Sequence, residues 1–272
     1  MKILLLGAKG QLAKTLKETK PKDIKLISFS RNELNFLDVQ NTVQNIDNIN
    51  PTHIINAAAY TNVDKAESEK DFAEKINAYA PFEIASRAAS LDCKFIQIST
   101  DFVFGGSQSH PYKPNDQVSP LGIYGKSKAL GEKLILKLNN SKIIRTSWLY
   151  SPFGKNFCLT ILNLLERNSK NHKPLKIVSD QVSCPTSTYS LSSLCWDLIL
   201  NEEGFVVGYV VKIFDDHSLI NTIINTDFSI PGIDKYGNQY LITSNREELL
   251  VNSIAVEEIN SNIDYISTDV AF

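Results

Sequence analysis

The sequence predicts an α/β fold: a doubly wound parallel sheet with a smaller, less regular C-terminal lobe. Three observations carry that expectation. Short apolar, β-branched runs recur at wide spacing, helical patterns fill the intervals, and a glycine-containing turn joins the first run to the first helix. The runs at 2–6, 24–29, 53–57, 94–98 and 142–144 read as buried strands, near-continuously apolar as parallel strands covered on both faces must be. Stretches 11–18, 42–49, 71–90 and 127–138 carry apolar positions three or four apart and read as helices, the third opened by an acidic first turn at Asp71. Strand–helix–strand steps of this kind are right-handed, and ligands bind beyond the carboxyl ends of the strands. The residues that follow each strand are therefore the ones to inspect.

In the second half Pro152, Gly154, Pro174, Pro185 and Gly204 interrupt the alternation. The expected organisation is a dinucleotide-binding domain over 1–150 and a substrate-binding lobe over 151–272. From 201 onward the sequence offers one strand, around 205–214, and a polar, Asn-rich tail with no motif.

Composition excludes several classes. At 272 residues and 43% hydrophobic, the chain can bury a sizeable core, so it is not disordered. With 28 Lys and Arg against 30 Asp and Glu the formal charge is -2, and no basic field draws in a nucleic-acid backbone. The cysteines lack a C-x-x-C pair and the histidines are scattered, so no metal site is expected. The apolar run at 2–6 stops at Gly7, too early for a leader or a membrane span. A cytoplasmic protein with reduced thiols is expected.

The first strand ends in Gly7-Ala8-Lys9-Gly10-Gln11-Leu12-Ala13, a G-x-x-G-x-x-A spacing between strand and helix. Gly7 permits the tight turn, Gly10 lets a pyrophosphate approach the backbone, and Ala13 lets helix and strand pack closely. At Gln11 and Leu12 the helix start offers free N–H groups and a positive dipole end to the phosphates. The context is that of a Rossmann-type dinucleotide site. Ser30 and Arg31 follow the second strand, where an NAD-preferring site commonly carries a carboxylate. Arginine there suits a 2′-phosphate, so NADPH is the expected cofactor, with NADH as the alternative. Asp38 either accepts from adenine or caps a helix. Ala57, Ala58, Ala59 and Tyr60 close the third strand with small residues against which a cofactor can lie.

The strand at 94–98 runs into Ser99-Thr100-Asp101, which puts hydroxyls at a carboxyl end. Tyr124 and Lys128 follow, four apart and on one helix face. A tyrosine near its ordinary pKa of about 10 is a poor acid or base at neutral pH. A neighbouring ammonium favours the phenolate and is expected to lower that value.

These residues resemble an extended short-chain dehydrogenase/reductase, and most closely the dTDP-4-dehydrorhamnose reductase family. The resemblance runs from Met1 to about Leu200. It rests on the Asn56 to Glu67 stretch, Ser99 to Phe104, Tyr124-Gly125-Lys126-Ser127-Lys128, Arg145-Thr146-Ser147-Trp148-Leu149-Tyr150 and Asp180 to Thr186. It implies an enzyme in which Thr100, Tyr124 and Lys128 form a catalytic triad acting on a dTDP-sugar. Tyr124 then protonates the C4 oxygen, Lys128 holds the ribose, and Thr100 hydrogen-bonds the same oxygen. Ser99 is grouped with the cofactor. Trp148 resembles the aromatic that packs on the sugar or nucleotide. Val63, Asp64, Asp101, Phe102, Val103, Asn156, Phe157 and Gln181 are assigned to the substrate cleft. The implied product is dTDP-L-rhamnose, a precursor of cell-surface polysaccharide.

The sequence departs from related families in three places. Phe102 follows Asp101 where sugar-nucleotide dehydratases carry a glutamate, so simple reduction is expected. Thr15 and Tyr189 stand where some relatives carry acidic residues that hold a magnesium ion between subunits. A monomer or weak homodimer without bridging magnesium is expected. An Arg-Pro segment usual late in the family has no equivalent after Asn201. That departure leaves two alternatives open: a non-catalytic NADP-binding regulatory subunit similar to the β subunit of methionine adenosyltransferase, or another sugar-nucleotide reductase or epimerase.

Overall fold

The computed structural model describes residues 1–108, 111–169 and 184–200, and the backbone of 229–233, 239–245 and 248–253. Five parallel strands, β1 (Lys2–Leu6), β2 (Lys25–Phe29), β3 (His53–Asn56), β4 (Lys94–Thr100) and β5 (Ser141–Thr146), form one sheet in the order β2-β1-β3-β4-β5. The helices are α1 (Gln11–Glu18), α2 (Val39–Ile49), α3 (Val63–Ser68), α4 (Lys70–Glu74), α5 (Ala80–Ser90), α6 (Ile123–Ile135), α7 (Phe157–Ser169) and α8 (Thr188–Leu200). A two-stranded ladder pairs β6 (Leu149–Tyr150) with β7 (Thr186–Ser187).

The pleat divides the core. Ile3, Leu5, Ile55 and Ile96 pack against Leu12 and Leu16 of α1 and Trp196 and Ile199 of α8. Leu4, Leu6, Ile54 and Phe95 face the other way, onto Ile46, Ile84 and Ile135 of α2, α5 and α6. Each fully buried Leu or Ile contributes roughly 1.5–3 kcal/mol, so this two-sided packing fixes the sheet between its helix layers. Strand order reverses between β1 and β3, which opens a crevice at their carboxyl ends.

Sequence and structure differ mainly at element ends. Ser99 pairs with Arg145 and Thr100 with Thr146, so the ladder carries β4 and β5 two residues past their apolar runs. The second helix begins at Val39 because the Asp38 carboxylate accepts from the Asn41 N–H at 3.2 Å. The helix expected at 71–90 is broken by a π-helical turn, Lys75–Tyr79, between α4 and α5. The helix expected at 127–138 begins at Ile123 and ends at Ile135. In the tail an antiparallel sheet joins β8 (Ser229–Ile233), β9 (Gln239–Asn245) and β10 (Glu248–Ser253), which the polar composition concealed. The strand expected around 205–214, and Gln181, lie outside the described residues. Among the described residues no helix is long and apolar enough to cross a membrane.

Candidate active site

The glycine turn after β1 is built by close approach. Gly7 has φ +91°, and a Cβ there would lie 2.8 Å from the Ala58 nitrogen and 2.9 Å from the Ala57 carbonyl oxygen. Only glycine brings the two loops together at the switch point. Gly10 is the N-cap of α1 and makes no side-chain cap, and the first turn of α1 holds no acidic residue. The helix start therefore keeps N–H groups for an anion. Beside it a cleft of about 240 Å³ is lined by Gly7, Gly10, Phe29, Leu34, Phe36, Ala57, Ala58, Ala59 and Tyr60 among others. Arg31 sits at its rim, 5.8 Å from the Phe72 ring, and also lines an adjoining groove of mixed charge with Lys65, Glu69, Lys70 and Asp71, Lys65 being paired with Glu69 at 2.8 Å. An apolar cleft, an arginine at its rim and an unblocked helix start fit a dinucleotide with an extra phosphate.

Several residues assigned to ligands are already engaged. The Glu33 carboxylate accepts from both the Ser30 N–H and the Ser30 hydroxyl at 2.7 Å, and these bonds hold Glu33 below the usual carboxylate range. Asp38 caps α2. The Ser99 hydroxyl donates to Glu132. Leu12 is a core residue that contributes its backbone alone to the helix start. Gln11 Oε1 accepts from Ser151 Oγ at 2.9 Å and Asn156 Nδ2 at 3.0 Å. Asn156 in turn accepts from the Leu159 N–H of α7, a capping role.

Thr100 closes β4, and a 3₁₀ turn, Asp101–Val103, follows it. The Thr100 hydroxyl donates to Asp101 Oδ1 at 3.1 Å and accepts from the Phe102 N–H at 3.2 Å. Ser147 donates to Asp101 Oδ2 at 2.8 Å, which ties this turn to the end of β5. Glycine sets the approach of α6: a Cβ on Gly125 would lie 2.2 Å from the Phe102 carbonyl oxygen. The helix thus seats Tyr124 against Val63 and against Phe102, whose ring lies edge-on at 5.5 Å. Burial pushes the Tyr124 phenol up to about 12, a hydrogen bond with Thr100 pulls it down, and Asp101 adds a smaller upward push. The expected lowering by Lys128 does not occur. Lys128 is fully buried one turn on, with Nζ donating to the Ile98 carbonyl at 2.6 Å, and it is desolvation that holds it down at about 8.

Phe102 is part-exposed beside Tyr124, whereas Val103 is fully buried, so its side chain supports the turn and lines no cleft. Asp64 is exposed in the first turn of α3. Trp148 links β5 to β6 in the left-handed region at φ +39°, with its ring 5.3 Å from Phe157. Such a conformation is strained for a bulky side chain and is characteristic of binding sites. Among the described residues, no group of three or more His, Cys, Asp or Glu is placed to hold a metal. Thr15 and Tyr189 join α1 to α8: Thr15 Oγ1 lies 2.8 Å from Thr188 Oγ1, and the Tyr189 hydroxyl donates to Glu18 at 2.9 Å.

The sequence reading missed Asn77, which the π-helical turn buries. It accepts from the Tyr60 N–H at 2.8 Å and donates to the Tyr60 carbonyl at 3.0 Å and to Ser127 Oγ, also at 3.0 Å. Ser127 donates onward to the Tyr124 carbonyl at 2.7 Å. One amide therefore joins the loop after β3 to the helix bearing Tyr124. Its one sequence signal was an amide within an otherwise apolar Ile76–Ala80 stretch.

A dinucleotide cleft at the switch point, with a Tyr–Lys helix packed beneath a strand-end threonine, defines the class: an oxidoreductase of the short-chain dehydrogenase/reductase type. Within that class the chain belongs to the RmlD substrate binding domain family, whose model matches residues 1–205. It is 38% identical over 216 residues to a dTDP-4-dehydrorhamnose reductase from Aggregatibacter actinomycetemcomitans, covering 78% of this chain and 70% of that one. It is 37% identical over 205 residues to the spore coat polysaccharide biosynthesis protein SpsK of Bacillus subtilis, covering 75% and 71%. Among solved structures, the dTDP-4-dehydrorhamnose reductase from Bacillus anthracis, crystallised in complex with NADP, superposes with a TM-score of 0.71 at 34% identity, covering 77% of this chain and 74% of that one.

Proposed function

We propose that the chain reduces the C4 keto group of dTDP-4-dehydro-6-deoxy-L-mannose with NADPH, giving dTDP-L-rhamnose for cell-surface polysaccharide. The observation that carries this reading is Tyr124 buried against Phe102 at the end of β4, its phenol pushed up to about 12 by that burial, in a chain of this family. Reduced nicotinamide, when bound, supplies the hydride. The Gly7–Gly10 turn and the open start of α1 receive the pyrophosphate, Arg31 takes the 2′-phosphate, and Lys128 holds the ribose hydroxyls. Tyr124, which keeps its proton through the neutral range, gives it to the C4 oxygen as negative charge develops there. Thr100, whose hydroxyl rests on Asp101 Oδ1, turns that one donor to the C4 oxygen when the sugar is bound. Trp148 and Phe157 pack against the sugar nucleotide, with Val63, Asp64, Phe102 and Gln181 along the cleft. We assign cofactor binding to 1–150 and substrate binding to 151–272, in a cytoplasmic monomer or weak homodimer without bridging magnesium.

The test is loss of NADPH absorbance with substrate generated in place by the preceding epimerase, the product being identified by mass and chromatography. Formation of dTDP-L-rhamnose supports the reading. Tight NADPH binding without turnover of that sugar overturns it in favour of a regulatory subunit.

A further inference from the structure

We propose that Glu132 is a positioning residue for Lys128: clamped by Arg145 and Ser99 behind the end of β4, its carboxylate is the counter-charge that keeps the buried ammonium cationic. The proposal rests on the reading of Lys128 as the residue that holds the cofactor.

Lys128 is 3% exposed, and its hydrogen-bond acceptor, the Ile98 carbonyl, is neutral. An ammonium stripped of water sheds its proton unless a negative charge lies near. Tyr124 and Glu132 lie on its own helix, Asp101 on the turn after β4, and Arg145 on β5. Of these, Glu132 raises the proton affinity of Lys128, whereas Asp101 acts on Tyr124. Glu132 lies four residues after Lys128, one helical turn away, and is itself 3% exposed.

The Glu132 side chain is held in place by a specific set of donors. Arg145 Nη2 donates to Oε2 at 2.7 Å, Arg145 Nε lies 3.1 Å from both oxygens, and the Ser99 hydroxyl donates to Oε1. Arg145 extends outward, donating to the Pro114 carbonyl at 2.9 Å and lying 5.0 Å from the Phe104 ring. A buried ion pair by itself is weak grounds for stability, since apolar replacements of similar volume often do as well. Its placement beside Lys128 supplies the reason for a charge here. Glu132 thus pairs with Arg145 on one side and lies one helical turn from Lys128 on the other, the middle charge serving the first.

The experiment is fluorescence titration of NADPH binding to the full chain between pH 6.5 and 9.5. It reads Lys128 without requiring turnover. In the parent chain affinity falls as pH rises past about 8, where Lys128 loses its proton. Glu132→Gln should move that fall to lower pH by about one unit and weaken NADPH at pH 7.5 about tenfold. Glu132→Asp should restore most of it. Arg145→Met leaves the carboxylate unneutralised and should move the fall to higher pH, and it carries the test alone where Glu132→Gln does not fold. A purely structural role lowers affinity without moving the pH dependence. Superimposable profiles, or shifts of one sign in both variants, overturn the proposal. Lys128→Met separates the two readings. If it abolishes the pH dependence while Glu132→Gln leaves it in place, Lys128 holds the cofactor and Glu132 does not serve it. If Lys128→Met changes nothing, the cofactor-holding reading of Lys128 has failed and the proposal falls with it.

Discussion

At the residue scale, the acid at this site is made by burial, with the phenol pushed up to about 12 while Thr100 pulls it back. The sequence places Tyr124 and Lys128 on one face, and from that spacing a lowered phenol is the natural expectation. The structure reverses the sign because burial disfavours the phenolate, while the Lys128 ammonium is turned toward the Ile98 carbonyl. A proton donor gains from this: it is fully protonated at neutral pH and still more acidic than the C4 alcohol that its proton forms. Arg31 invites a separate test, since its contact with the Phe72 ring leaves the guanidinium at the cleft rim. Arg31→Ala should weaken NADPH at least tenfold while changing NADH about twofold or less, measured by fluorescence titration. Equal losses for both nucleotides would show that Arg31 does not read the 2′-phosphate.

At the scale of elements, the sheet was legible because parallel strands buried on both faces are written as apolar runs. β1 and α1 lie where the patterns put them, and β2 and β3 end within a residue. Polar continuations were not legible. Ser99, Thr100 and Arg145 belong to strands by ladder bonds that periodicity does not register. The π-helical turn is likewise invisible, because its Asn77 is explained by partners seventeen and fifty residues away. Of the site, the glycine turn and the Tyr–Lys pair were readable from spacing, whereas the engagement of Ser30 with Glu33 and of Ser99 with Glu132 required three dimensions. The placement of α6 depends on one missing atom. Gly125→Ala puts a methyl 2.2 Å from the Phe102 carbonyl oxygen, so backbone must shift. The expected loss is about 1–3 kcal/mol, read as a lower Tm, with kcat falling further than NADPH affinity because Tyr124 moves with the helix. An unchanged kcat would show that the seating of α6 does not position the acid.

At the scale of the whole molecule, function and stability pull against each other at Lys128. Its ordinary value of 10.5 falls to about 8 in the folded chain. Between those two values the unfolded chain holds a proton that the folded one lacks, so stability rises with pH across that window. Below about 8 both states carry the charge and its burial opposes folding in full. Lys128→Met should therefore stabilise the protein at pH 7 by on the order of 2 kcal/mol, raising Tm by a few degrees, with the gain fading toward pH 10.5. A lower Tm at pH 7 would show that the bond to Ile98 outweighs the desolvation. The family match ends at residue 205, and the antiparallel strands β8, β9 and β10 lie beyond it. A competent site must therefore be judged by turnover of the full chain. The most direct measurement compares parent and Tyr124→Phe, following NADPH oxidation with the keto sugar and NADPH affinity in the same preparations. Removing one buried hydroxyl should cut turnover by 10²-fold or more and leave affinity within about twofold. Turnover near the parent rate in the variant would contradict the assignment of Tyr124 as the proton donor.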